Sequence, residues 1–281
     1  VRKIHLTGGE PTLRADLPTL VALLREAAPT IELALTTNGS LLGSLAAPLA
    51  AAGLDRATVS LDTLDDAVFR ELNDVDFPVA RVLEGIASAA EAGLTPVKIN
   101  AVVKRGMNDH TVVDLARHFK GSGHVLRFIE YMDVGGATRW SRDDVVPCTE
   151  MLQALESRYG TATPIEEKNS APANRFRLPD GLTFGIISST TSPFCLTCDR
   201  SRLTADGFWY LCLYAGTGTD LRRSLRSGAS AEELRELIMP IWTTRSDRGA
   251  EARLETADRQ PLIPIETLQK EPHLEMHTRG G

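Results

Sequence analysis

The chain has 281 residues, 42% hydrophobic and 24% charged, with a formal net charge of −6. That length suits one large α/β domain or one and a half domains, and the composition is ordinary for a soluble globular protein. No apolar run of membrane-spanning length and no export signal is present. The acidic balance leaves no general nucleic-acid footprint, so any anion site must be a local cluster of Arg and Lys.

In chain order, Val1 to Thr7 reads as a short strand running into Gly8-Gly9-Glu10-Pro11. Two glycines after a strand permit positive φ and close backbone approach to a ligand. Asp16 is placed to N-cap a helix carrying Leu17, Leu20, Val21 and Leu24 at helical spacing. The unit then repeats: a strand over Ile31–Thr37, an Ala/Leu-rich helix stopping at Gly53, and a strand over Ala57–Leu61. Helical patterns near Ala67–Leu72 and Val79–Ala92 follow, with Gly93 suited to a helix C-terminus. Pro96–Val103 is a fourth strand, a helix runs through Val113, Leu115 and Phe119, and Val125–Met132 is a fifth strand. Strands alternating with helices predict a parallel sheet, openly wound or closed as a barrel.

Each strand ends in polar or glycine-rich residues, and in parallel α/β sheets ligands bind outside those carboxyl ends. Lys98 and Arg127 interrupt strands that ought to be buried on both faces, so each needs an anionic partner or a place just above the core. Beyond Trp140 the pattern changes. Thr149–Tyr159 reads as an amphipathic helix, Arg175–Leu178 and Leu182–Ile187 as a hairpin, and Ser230-x-x-Glu233 as a capping box opening a helix over Ala231–Met239, halted by Pro240. From Asp247 onward periodicity is weak, and a terminal Gly280-Gly281 reads on its own as a frayed tail.

Three of the four cysteines fall in one stretch: Cys195 and Cys198 in C-x2-C spacing, then Cys212. Arg200–Thr204 and Phe208–Leu213 flank Ala205-Asp206-Gly207, the pattern of a hairpin that returns Cys212 toward the pair. Soft thiolates with no interleaved histidine favour an iron–sulfur cluster or a zinc site over a hard cation. Arg200 and Arg202, suited to bidentate phosphate recognition and at strand spacing on one face, point to a substrate site beside that metal. Cys148 is assigned no role.

Together, KIHLTGGEPTLR, TTNGSLL, TVSLDTL, VKINAVV, RFIEYMDVG, CLTCDRSRLTADG and the terminal Gly-Gly resemble the molybdenum-cofactor biosynthesis protein A family. These are GTP 3′,8-cyclases of the radical S-adenosylmethionine (SAM) superfamily. The resemblance implies an α/β fold, an incomplete (βα)6-type TIM barrel over 1–140 whose first βα unit is missing, with an α+β region over 141–281 covering the open side. It implies that Gly9, Ser60 and Met132 meet SAM and that Lys3, His5, Thr36, Lys98, Arg200, Ser201 and Arg202 meet GTP. Arg127 matches an active-site arginine, and the Gly280-Gly281 tail is implied to reach the active site as well. Cys195, Cys198 and Cys212 are implied to hold a [4Fe–4S] cluster with one iron left open to guanine, GTP lying between this auxiliary cluster and a second [4Fe–4S] cluster that cleaves SAM.

The implied partners are GTP, SAM and, by hand-over, cyclic pyranopterin monophosphate synthase, in the cytoplasm, without nucleic acid or membrane; a homodimer is one arrangement left open. Two departures stand out. The C-x3-C-x2-C motif of the SAM-cleaving cluster is not among these 281 residues, so a segment upstream of Val1 is expected and these residues alone are expected to be inactive. His5 stands where the family carries Arg. Two other readings remain at this stage: a related radical SAM enzyme acting on a peptide, and a zinc-stabilised nucleotide-binding protein without catalysis.

Overall fold

The computed structural model describes residues 1–134, 140–166, 170–256, 259 and 262–270. They form two compact units, Val1–Tyr131 with Asp143–Thr191, and Met132–Arg142 with Ser192–Gly281.

The first unit is built on one eight-stranded sheet. Its strands are β1 (Lys3–Leu6), β2 (Glu32–Thr37), β3 (Arg56–Ser60), β4 (Lys98–Val103), β5 (Val125–Glu130), β6 (Thr163–Ile165), β7 (Asn174–Arg177) and β8 (Thr183–Ile187), in the order β1-β2-β3-β4-β5-β8-β7-β6. β1 to β5 are parallel and β8 pairs parallel with β5, while β7 and β6 close the edge antiparallel. The crossovers carry α1 (Leu17–Ala27), α2 (Leu42–Ala51), α3 (Asp66–Asn73), α4 (Val79–Glu91) and α5 (Val112–Phe119); α6 (Cys148–Tyr159) precedes the hairpin edge. The parallel α/β architecture read from the periodicity is therefore present. The predicted hairpin is β7–β8, and it extends the same sheet.

Strand alternation sets the two faces. Leu33, Leu35, Val59, Ile99 and Phe128 are fully buried with helix residues Val21, Leu49 and Leu115 in one core. Burial of each such side chain stabilises the fold by roughly 1.5–3 kcal/mol before entropy is set against it. The opposite face carries the intervening residues of the same strands, among them Lys3, His5, Glu32, Arg56, Lys98 and Arg127.

Asp16 takes the N-cap position of α1, but its side chain does not cap: Pro18 removes a first-turn N–H, and the carboxylate pairs with Arg14 at 2.8 Å instead.

The second unit holds a three-stranded sheet, β11 (Thr219–Asp220), β10 (Phe208–Tyr210) and β9 (Arg202–Leu203), with α7 (Leu221–Arg226), α8 (Ala231–Thr243), α9 (Gly249–Leu254) and α10 (Ile265–Lys270). The predicted cysteine hairpin is β9–β10, with Tyr210 opposite Arg202. It is shorter than expected: Arg200 precedes β9, so strand spacing does not place it on one face with Arg202. The capping box at Ser230 and Glu233 forms, yet α8 runs through Pro240 to Thr243. The carbonyl deprived of its donor belongs to Glu236, an exposed residue, and Thr244 N–H closes the next turn on the Pro240 carbonyl at 3.1 Å. The weakly periodic stretch after Asp247 contains the short helices α9 and α10. Their few residues are too short a window for a period to register.

Candidate functional site

The polar face of the first unit gathers Lys3 and His5 from β1, Glu32 and Thr36 from β2, Arg56 and Ser60 from β3, Lys98 and Asn100 from β4 and Arg127 from β5. Parallel register sets them side by side: Lys3 opposite Glu32, Thr58 opposite Lys98, Asn100 opposite Arg127. Lys3 lies 3.5 Å from Glu32, and Arg56 donates to the same carboxylate. Arg127 Nε donates to Asn100 Oδ1 at 2.9 Å. Its stem passes Gly185, where an added Cβ would stand 3.3 Å from Arg127 Cγ and 3.1 Å from Ala173.

Four cations against one carboxylate make this face electropositive. Burial, then Arg127, Arg56 and Lys3, pushes Lys98 down to about 8. Burial and then Arg56 bring Arg127 to about 10. His5 shares 2.7 Å with the Thr36 hydroxyl, and protein packed around its ring, then Lys3 and Arg127, holds it down to about 4. At neutral pH it is an uncharged imidazole, so it adds no positive charge to this face.

The GGEP turn is tied to the sheet. Gly8 has φ +104°, a conformation that favours glycine. Glu10 accepts from Thr37 Oγ1 at 2.6 Å and from Asn38 N–H at 2.7 Å, which fixes the backbone at Gly9. Two further anchors were not read from the sequence. Glu130, fully buried, accepts from the N–H groups of Cys148 (2.9 Å), Thr190 (3.0 Å) and Thr191 (2.7 Å) and from Thr191 Oγ1 (2.6 Å). Cys148 thus serves through its backbone as the first residue of α6.

In the second unit, Asp133 follows Met132 and is fully buried, accepting from Tyr214 Oη (3.1 Å), Arg253 Nε (2.8 Å) and Arg259 Nε (2.8 Å). Burial alone would raise its carboxyl; Arg259 and Arg253 outweigh it and hold the pKa below the usual range. Cys195 opens a single 3₁₀ turn ending at Cys198, and Cys212 lies past β10. Cys198 Sγ accepts from Arg200 Nη2 at 3.4 Å and lies 3.6 Å from Arg245 Nη2; Cys212 Sγ accepts from Tyr214 N–H at 3.4 Å. Burial works against ionisation of Cys198, but hydrogen bonds and charge from Arg200 and Arg245 prevail and lower its pKa. Arg200 stacks 4.8 Å over Phe194. Arg202 faces both Cys212 and Cys198, and burial, then Arg200, bring it to about 10. Ser201 lies exposed between them.

Among the described residues, no three His, Cys, Asp or Glu side chains converge on the position of a single metal ion. A cubane gives each cysteine its own iron, so its sulfurs stand apart, and two of the three thiols, Cys198 and Cys212, have N–H donors at sulfur as cluster ligands do. Gly280 and Gly281 lie outside the described residues.

The Radical SAM superfamily profile matches residues 1–119, and that of Molybdenum Cofactor Synthesis C matches 124–251. GTP 3′,8-cyclase 1 of Mycobacterium tuberculosis is 50% identical over 285 residues, covering 100% of this chain and 79% of its own length. GTP 3′,8-cyclase 3 of Mycobacterium bovis is 49% identical, with 100% and 75% covered. The chain belongs to the GTP 3′,8-cyclase family. The Acidothermus cellulolyticus GTP 3′,8-cyclase, 49% identical over 92% of this chain and 73% of its own, is a further relative. Membership carries a radical SAM enzyme type and a place in molybdenum cofactor biosynthesis. Among the described residues no helix is long and apolar enough to cross a membrane.

Proposed function

We propose that this protein converts GTP to (8S)-3′,8-cyclo-7,8-dihydroguanosine 5′-triphosphate, the opening step of molybdopterin synthesis, with SAM as co-substrate. The observation that carries the reading is the pair of basic sets: Lys3, Lys98 and Arg127 on one sheet face, and Arg200 and Arg202 beside the cysteines. A charged group in such a half-buried setting needs a counter-charge, and a triphosphate supplies several.

In this reading Lys3, Lys98, Arg127, Arg200 and Arg202 hold the nucleotide, with Thr36, Ser201 and neutral His5 as hydrogen-bonding neighbours. Gly9, Ser60 and Met132 meet SAM; the turn tied down by Glu10 gives Gly9 a fixed backbone there. Cys195, Cys198 and Cys212 hold the auxiliary [4Fe–4S] cluster, which when bound offers one open iron position to the guanine ring. Arg200 and Arg245 favour the thiolate form of Cys198 for that role. Gly280 and Gly281 are assigned to the same centre.

The five parallel strands β1 to β5 with their crossover helices support reading the first unit as five units of a (βα)6-type barrel. The functional division, 1–140 for SAM and 141–281 for the auxiliary cluster, follows the motifs, whereas the compact units follow packing. Product would pass to cyclic pyranopterin monophosphate synthase, in the cytoplasm.

Calorimetry with GTP tests the reading. Arg202→Ala is expected to weaken binding by about 1.5–3 kcal/mol, the scale of a charged hydrogen bond. Unchanged affinity would remove the phosphate role of the arginine pair.

A further inference from the structure

Among the described residues, the buried side-chain nitrogen atoms without a hydrogen-bond partner are Nε of Arg56, Arg200 and Arg202. Native proteins leave few such groups, and an unseen ligand is one of the physical explanations for them. Two of the three sit at positions already assigned to GTP. Arg56 carries the same signature with no assignment.

Arg56 opens β3, where Ala57 and Val59 are fully buried in the core. Its side chain therefore stands with Thr58 and Ser60 on the polar face. One edge of the guanidinium is used: Nη2 donates to Glu32, which also pairs with Lys3. The Nε–H is left over. The charge of Arg56 bears on Lys3, Lys98 and Arg127 alike, so the four share one electropositive region. Arg56 is four residues before Ser60, roughly 13 Å along the strand at about 3.3 Å per residue. If Ser60 lies at the SAM end, Arg56 lies at the far end, where the most highly charged part of a nucleotide finds the densest positive charge.

We propose that Arg56 is a specificity-determining contact for the polyphosphate chain, donating from Nε, and that Glu32 holds its other edge and competes with the incoming anion. The inference rests on the GTP reading above and adds to it which residue distinguishes a nucleoside triphosphate from a monophosphate.

The test measures Kd for GTP, GDP and GMP with the wild-type chain and with Arg56→Ala, Arg56→Lys and Glu32→Gln, each checked for folding by circular dichroism. Arg56→Ala is expected to weaken GTP at least about tenfold, the loss of one charge-assisted hydrogen bond, and GMP much less. Arg56→Lys, a point charge without Nε, should fall between, and Glu32→Gln should tighten GTP. Equal weakening of GTP and GMP, or weaker GTP binding in Glu32→Gln, would overturn the proposal and leave Arg56 a sheet-holding residue. A wild-type chain that bound no GTP would instead overturn the GTP reading itself, and this inference with it.

Discussion

Arg245 holds Cys198 through both backbone and sulfur: Nη1 donates to the Cys198 carbonyl at 3.2 Å, and Nη2 lies 3.6 Å from Sγ. The same Nη1 donates to the Arg200 carbonyl at 2.9 Å, and the guanidinium stacks 5.3 Å over Trp242. With its side chain only 10% exposed, this contact is a fixed part of the loop that carries two cysteines and Arg200. Arg245→Ala should loosen that loop and lower cluster affinity about tenfold, the usual cost of removing a partner of a metal ligand. Iron and sulfide retained during dialysis against a chelator report it, and undiminished retention would show that the loop holds itself.

Lys98 gives a pH dependence with two opposite signs. Its folded-state pKa is about 8, against 10.5 when unperturbed, because burial and then the cations Arg127, Arg56 and Lys3 disfavour its charge. Between those values the unfolded chain binds more protons than the folded one, so stability should rise with pH from about 8 to 10.5. GTP affinity should fall over the start of the same rise, as Lys98 loses the charge that attracts phosphate. Lys98→Met should remove much of both trends, raise stability at pH 7 and weaken GTP. Urea denaturation and calorimetry across the range check each arm.

Glu130 is predicted to be indispensable to the fold. Its carboxylate satisfies three backbone N–H groups from Cys148, Thr190 and Thr191. Glu130→Ala strands the buried N–H of Thr190 and loosens the two less buried ones, so a loss of at least about 1–3 kcal/mol is expected in urea denaturation. Glu130→Gln retains one acceptor oxygen and should cost less.

Gly249 is packed against a cysteine. A Cβ there would stand 2.4 Å from Tyr214 Cβ and 3.0 Å from Cys212 Sγ, too close for either to stay in place. Gly249→Ala should therefore displace Cys212 and lower the iron incorporated on reconstitution, while the first unit keeps its own packing. Two separable melting transitions, only the weaker one shifted, are the expected calorimetric result.

Much of this was legible in the sequence, for physical reasons. Alternating and apolar runs announced β1 to β5, and the charges at Lys98 and Arg127 stood out because they broke those runs. The cysteine spacing and Arg200 and Arg202 lay within one short stretch. Arg56 did not stand out, since an arginine opening a strand looks like an ordinary surface residue until its unpartnered Nε is seen. Arg245 lies 47 residues from the Cys198 it supports, with no spacing rule to join them. Asp133 is joined to Arg253 and Arg259 across 120 and 126 residues, and only the folded chain makes them neighbours. The helix through Pro240 escaped because a proline costs little where the carbonyl it strands belongs to an exposed residue.

The central claim is that Cys195, Cys198 and Cys212 hold an iron–sulfur cluster beside a GTP site. Iron, acid-labile sulfide and zinc per chain, after anaerobic purification and reconstitution, test it most directly. The account predicts about four irons with matching sulfide, abolished by Cys198→Ser. Stoichiometric zinc without sulfide would contradict it and leave the three cysteines a structural metal site.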